Sequence, residues 1–127
     1  MNKRIILIVF LLTNLFGFTQ NEGNDLIGNW QTNDKIYLIK IFKENNQYQA
    51  TIYSIKGKIV EKKKNNIWDL KFNPDKKIWE NGKLQLPDMK HSVDCQIKMS
   101  NKNEAIILGY HGIKFLGKER KMKRINE

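Results

Sequence analysis

Four side chains are the candidates for chemistry in this 127-residue chain: His91, Asp94, Cys95 and His111. A thiol beside an imidazole could serve as a base-activated nucleophile, and imidazoles grouped with carboxylates could hold a metal. The spacing speaks against both. On a β-strand His91 and Cys95 share a face but stand about 13 Å apart, at ~3.3 Å per residue, and Asp94 points the other way. His111 lies beside a turn. Cys95 has Val93 and Ile97 as neighbours on its own face, the setting of a buried thiol that packs as a small hydrophobe. There is no CxxC, no HExxH and no Cys/His cluster. The expectation is no catalytic residue, no metal, no cofactor, and a protein that is not an enzyme.

The elements that would position these residues read as short strands. Leu26–Thr32 is a first strand with Trp30 turned inward. Lys35–Lys43 is rich in Ile and aromatics, and its face of Tyr37, Ile39 and Ile41 is the better core face because Lys40 interrupts the other. Glu44-Asn45-Asn46-Gln47 is a turn, Asn tolerating left-handed backbone, and Tyr48–Ile55 returns with Tyr48, Ala50 and Ile52 inward. Lys56–Lys64 is a charged loop or strand edge. Ile67–Phe72 alternates, with Trp68, Leu70 and Phe72 set against Asp69 and Lys71, until Asn73-Pro74-Asp75 breaks it. Ile78-Trp79 and Lys83–Leu86 flank Glu80-Asn81-Gly82, where Asn-Gly signals a hairpin. His91–Met99 puts Val93, Cys95, Ile97 and Met99 on one face. Glu104–Ile125 supplies two closing strands joined at Gly112 and punctuated by Gly109 and Gly117.

Eight or nine short strands with no helical period imply an all-β fold, a small antiparallel meander β-barrel of about eight strands. Its interior is expected to be lined by Trp30, Ile39, Ile41, Tyr48, Trp68, Val93 and Ile107. Such a barrel is either packed solid or holds one small apolar or amphiphilic ligand, with Ala50, Ala105 and Gly109 leaving room. Leu38, Phe42, Ile106, Leu108 and Tyr110 would form an apolar patch on the outer face.

Met1-Asn2-Lys3-Arg4 is cationic, Ile5–Phe18 is largely apolar, and Gly17-Phe18-Thr19 offers a cleavage point before Gln20. This reads as a secretory signal peptide over 1–19, followed by a polar lead-in over 20–25 and a single β-barrel domain over 26–127. The apolar run is shorter than the roughly 18 to 20 residues of a membrane span. The protein is therefore expected to be periplasmic or secreted. Lys3 and Arg4 are two of 23 basic side chains, and the remaining 21 against 13 acidic ones leave +8 on the mature chain. An excess of this size favours anionic partners. Outside the cytosol those are anionic lipid or polysaccharide, so no nucleic acid is expected. The single cysteine excludes an internal disulfide, and stability must come from packing.

Gly28-x-Trp30, Trp79-x-x-Gly82-Lys83, Cys95 two residues beyond Val93, Gly109-Tyr110-x-Gly112, and Leu116-Gly117 followed by Arg124-Ile125 together resemble the bacterial family known as domain of unknown function 2147. That family's longer central insertion is missing between Ile55 and Trp79, and its usual closing strand is replaced by Gly117-Lys118-Glu119-Arg120-Lys121-Met122. The resemblance implies small exported proteins with lipocalin-like (calycin-like) barrels, and no particular activity. It also implies that Arg124 from the last strand covers Trp30 on the first, sealing one end of the barrel.

Overall fold

The alternation of Tyr37, Ile39 and Ile41 with Leu38, Lys40 and Phe42 makes a strand with one dry face. In the computed structural model, which describes residues 23–113 and 117–126, this strand is β2 (Tyr37–Glu44). Its partner is β3 (Gln47–Ile55). The two are joined through Asn45 and Asn46, whose φ values of 55° and 62° give the left-handed pair that a two-residue hairpin turn requires. Ahead of them is β1 (Gly28–Thr32), and after them come β4 (Lys58–Ile59), β5 (Asn65–Asn73), β6 (Ile78–Leu84), β7 (Val93–Asn101), β8 (Glu104–Tyr110) and β9 (Lys118–Ile125).

Each long strand pairs antiparallel with its successor, β3 pairs with β5, and β9 pairs back onto β1. The result is a closed eight-stranded up-and-down barrel. Closure removes the open edges that make sheets prone to association. The additional strand, β4, is a short hairpin extension of β3 that covers the edge β5 vacates. The leader expected over 1–19 lies outside the described residues. No helix among the described residues is long and apolar enough to cross a membrane.

Two local readings need correction. Asn81-Gly82 is not a hairpin; β6 runs straight through it, with Asn81 at φ 64° and the pairing to β7 shifted between Trp79 and Gly82. The sequence signal is real, because left-handed backbone is what both a tight turn and a β-bulge demand. A Cβ on Gly82 would lie 2.7 Å from Leu70 Cδ2, so the bulge needs this glycine to admit Leu70. The second correction is Trp68. Asp69 also has a left-handed φ, 64°, and the extra residue reverses the alternation of β5. Ile67 and Leu70 are buried, whereas Trp68 pairs across from exposed Lys83 on the outside. Buried Gln49 repairs the break, its Oε1 accepting from the Asp69 N–H at 3.0 Å.

Strand bounds differ less. The first strand begins at Gly28 rather than Leu26, β6 stops at Leu84, and β7 starts at Val93 with His91 in the connection before it.

Because strands alternate in direction, the β2–β3, β5–β6 and β7–β8 turns share one end of the barrel with the lead-in. That end is sealed. Trp30, fully buried, donates from Nε1 to Leu26 O at 3.0 Å, and Trp79 donates to Gly23 O at 3.0 Å. Tyr48 donates its hydroxyl to Asn24 Oδ1 at 2.8 Å. The Arg124 guanidinium lies 4.4 Å from the Trp30 ring and donates to the carbonyls of Asp25, Ile27 (2.9 Å) and Lys102 (3.1 Å). Gly28 leaves space for it. At φ 144° the position favours glycine, and a Cβ there would stand 2.6 Å from Arg124 Nη1.

Replacing Arg124 by Ala should lower stability by about 2 to 4 kcal/mol, combining the lost ring contact with carbonyls left short of donors. Arg124→Lys should recover less than half of that loss in urea denaturation, since an ammonium cannot span three divergent carbonyls. Full recovery by lysine would mean that charge alone holds this end.

Candidate functional site

The other end carries the β1–β2, β3–β5, β6–β7 and β8–β9 connections, and here the interior is not filled. A cavity of about 470 Å³ runs inward from this mouth. Ile39, Ile52, Ile67, Leu84, Val93 and Ile107 give it apolar walls, and Ala50 and Gly109 provide the width. Seven interior residues were expected from the sequence, and the structure divides them. Ile39, Val93 and Ile107 line the cavity. Trp30, Ile41 and Tyr48 are buried but belong to the sealed half, away from the cavity wall. Trp68 is outside the barrel, for the reason given above.

Polar groups gather at the mouth. β9 pairs Arg120 with Ile107 and Lys118 with Gly109, so both cationic side chains are set on the inward-facing side of the strand. Arg120 lies 5.1 Å from the Tyr37 ring and donates to Asp34 Oδ2 at 2.7 Å. Asp34 is held in turn by the Thr32 hydroxyl at 2.6 Å and the Ile36 N–H at 3.0 Å. The Thr32 hydrogen bond, followed by the Ile36 N–H and the nearby guanidinium, lowers the Asp34 carboxyl below its ordinary value despite some desolvation.

Asn66 is a buried polar residue in the wall. Where β5 diverges from β3, its Oδ1 accepts from Ile52 N at 3.0 Å and its Nδ2 donates to Gln85 O at 3.1 Å. A side chain thus replaces the missing ladder across the gap. The β6–β7 connection folds inward at the same rim. Met89 N–H donates to Leu86 O, and Leu86 N–H meets Met89 Sδ at 3.3 Å, which brings both apolar side chains to the cavity edge.

The residues first considered for chemistry face different surroundings. Cys95 is fully buried in the barrel core, and burial pushes its thiol up to about 12. His91 is exposed in the β6–β7 connection. Asp94 faces outward and pairs with Lys83 at 2.6 Å. His111 alone of the four lines the cavity. No group of three or more His, Cys, Asp or Glu that could hold a metal occurs among the described residues. A second hollow, about 720 Å³, lies against the sealed end, but Trp79 and Arg124 in its lining already donate to the lead-in.

The sequence matches the model of the family described as an uncharacterized protein conserved in bacteria (DUF2147) over residues 28–124. The chain belongs to this family. No curated protein matches the sequence. Among solved structures, it is similar to protein HP1028 from the human pathogen Helicobacter pylori, described as belonging to the lipocalin family. That similarity has a TM-score of 0.67 at 15% identity, covering 80% of this chain and 84% of the other. The shared feature is the lipocalin-like barrel. In this DUF2147 member, Gly28-x-Trp30 and Arg124 bound the matched region, so the family model spans the barrel from its first strand to the guanidinium on its last.

Beyond Ile39, Val93, Ile107, Ala50 and Gly109, much of the cavity wall was not legible in the sequence. Strict alternation with an inward Trp68 leaves no place for Ile67 in the wall, and the Asp69 bulge is what turns it inward. Ile52 was legible as inward-facing, but its place at the open half depends on which end is sealed. Asn66 carries no sequence signal, since an Asn beside another Asn reads as a turn.

Two measurements check this description. Native Cys95 should react with a thiol reagent at pH 8 about a thousandfold more slowly than in the unfolded chain, whose thiol titrates near 8.5. Comparable rates would place the thiol in solvent. The Asp34 carboxyl, lowered in the folded state, contributes stability that is present above its unfolded value near 3.9 and is lost as pH falls through the folded value. Asp34→Asn should therefore cost under about 1 kcal/mol at pH 7, given the exposure of the pair, and the difference should vanish in strong acid.

Proposed function

We propose that this protein binds one small apolar or amphiphilic molecule inside the barrel, as a carrier or sensor rather than as an enzyme. The observation that carries this reading is the cavity of about 470 Å³, apolar-walled, closed at one end and open at the other. Its volume lies within the roughly 300 to 1,000 Å³ of sites for small molecules. A packed structural module would have no use for such space, since interiors are ordinarily filled to crystal-like density.

The geometry favours an orientation. An amphiphile would enter with its apolar part toward Ile39 and Ile107 and leave its polar part at the rim, beside Lys118, Arg120 and His111. Arg120 is partly committed to Asp34, whereas Lys118 is exposed and makes no ion pair among the salt bridges of the described residues. Glu119 lines the same rim and Asp34 neutralises Arg120, so the rim suits a polar head group whose hydrogen bonds it can meet, with no excess of one charge sign. The reading includes export to the periplasm or beyond, supported by the leader-like pattern of Met1–Thr19.

The test is displacement of a fluorescent fatty-acid probe, cis-parinaric acid, from purified protein. Val93→Trp, which would place an indole in the cavity, should weaken probe binding at least tenfold with the thermal transition retained. Trp68→Phe, on the outside, should leave it unchanged. Saturable binding that ignores Val93→Trp would put the probe elsewhere and remove the basis for the cavity reading. Native mass spectrometry of protein isolated from its own cells should show a co-purifying mass that Val93→Trp loses.

A further inference from the structure

The outer-face patch expected from sequence is not where exposed apolar surface lies. Leu38, Phe42, Ile106, Leu108 and Tyr110 are all half-buried. Ile106 sits between Lys98 and Lys121 in the sheet, and Leu108 between Gln96 and Glu119, whose long side chains flank them. The large apolar side chains that are exposed among the described residues are Ile27, Ile59 and Ile113, at 37%, 76% and 51%. The two most exposed are both at the open end. Ile59 is on β4 in the β3–β5 connection, and Ile113 is in the β8–β9 connection. In the circular strand order these two connections lie on opposite sides of the mouth.

Charge is concentrated at the same end. The β1–β2, β3–β5 and β6–β7 connections carry seven lysines against three carboxylates, Asp34, Glu61 and Asp88. Five of those lysines, Lys56, Lys58, Lys62, Lys63 and Lys64, are on the connection that presents Ile59, and all five are exposed. At the sealed end, the turns and lead-in hold Lys76, Lys77 and Lys102 against Asp25 and Asp75. A basic excess serving only solubility has no reason to gather around exposed isoleucines at one mouth.

We propose that the open end of the barrel is a docking face for an anionic lipid bilayer. Ile59 and Ile113 enter the headgroup layer on either side of the mouth, and the lysines around Ile59 meet lipid phosphates. Each lysine held near an anionic surface strengthens partitioning about fivefold, and the effect fades beyond a Debye length. The isoleucines decide between lipid and acidic polysaccharide, because a polysaccharide offers no apolar layer to receive them. Docked this way, the mouth faces the membrane, and a ligand passes between bilayer and cavity without crossing water. That consequence rests on the ligand-binding reading above; the docking itself does not.

The experiment is flotation of the full-length mature protein with vesicles of phosphatidylglycerol and phosphatidylcholine, against phosphatidylcholine alone. The wild type should float with the anionic vesicles only, and salt should release it. The triple variant Lys62→Gln, Lys63→Gln, Lys64→Gln should weaken partitioning at least tenfold. Ile59→Ser with Ile113→Ser should weaken it severalfold at unchanged charge. A sealed-end triple, Lys76→Gln, Lys77→Gln, Lys102→Gln, matches the charge change and should have less than a threefold effect. Equal losses from the two lysine triples, or no binding to anionic vesicles, would overturn the proposal. So would an isoleucine variant that binds as wild type, above all if heparin competes, since the face would then belong to an acidic polysaccharide. Uptake of cis-parinaric acid from solution is expected to be unchanged in every one of these variants. Its absence from the wild type would remove the cavity reading while leaving the flotation result standing.

Discussion

One guanidinium organises the sealed end of this barrel. Arg124 stacks on Trp30 and donates to carbonyls of Asp25, Ile27 and Lys102, so a single side chain joins the last strand, the segment before the first strand and the β7–β8 turn. The lead-in that it holds has no sheet partner of its own. Its carbonyls from Gly23 to Ile27 are nonetheless all satisfied, by Trp79, the Ile27 N–H, Arg124, Trp30 and Arg124 again. Irregular backbone can close the end of a barrel only if its polar groups find donors of this kind. Fully buried Leu26 then acts as a plug, and burying such a side chain is worth roughly 1.5 to 3 kcal/mol.

The same strand repeats the device four residues earlier with a different outcome. Arg120 lies over Tyr37 as Arg124 lies over Trp30, but its other partner is the Asp34 carboxylate at the surface rather than a set of backbone carbonyls. Carbonyl acceptors, unlike a carboxylate, have no proton to gain in the ordinary pH range. The rim contact depends on an ionised carboxylate and on exposed geometry, where ion pairs contribute little. One end of β9 is thereby fixed and the other is held loosely. A binding site that must admit a ligand is better placed at the loosely held end.

The inward faces of β2, β3 and β7 were legible in the sequence because their apolar side chains keep the period of two, even though the β2–β3 pairing shifts between Leu38 and Ile39. Tyr37, Ile39 and Ile41, and likewise Val93, Cys95 and Ile97, follow the period of two. The reading fails at β5 and β6, where Asp69 and Asn81 adopt left-handed backbone within strands. Each bulge adds one residue, which turns the residues beyond it to the other face and moved Trp68 out of the barrel and Ile67 in. Sequence cannot tell a bulge from a turn at Asn-Gly, since the local backbone requirement is the same; only the strand pairing on either side decides. The basic excess was legible as a number and as the Lys62-Lys63-Lys64 run. Its alignment with Ile59 and the cavity mouth is a product of topology.

Whether such a barrel is hollow is settled by where the large side chains sit along its axis, rather than by how many there are. The interior residues foreseen from sequence were mostly large, which on total volume argues for a packed core. In the structure Trp30, Tyr48, Phe72 and Trp79 crowd the sealed half, with Phe72 and Trp79 only 4.8 Å apart between ring centroids and Tyr48 edge-on to Trp79 at 6.4 Å. Apart from Tyr37 beneath Arg120 at the rim, the inward side chains of the open half are chiefly Ala50, Val93, Gly109 and isoleucines, which leave the cross-section of eight strands unfilled. Closing one end with aromatics and leaving aliphatic walls at the other meets two demands with one core. The aromatic half supplies the packing that a chain without disulfides needs, and the aliphatic half keeps its volume free because the aromatic half does not need it for stability.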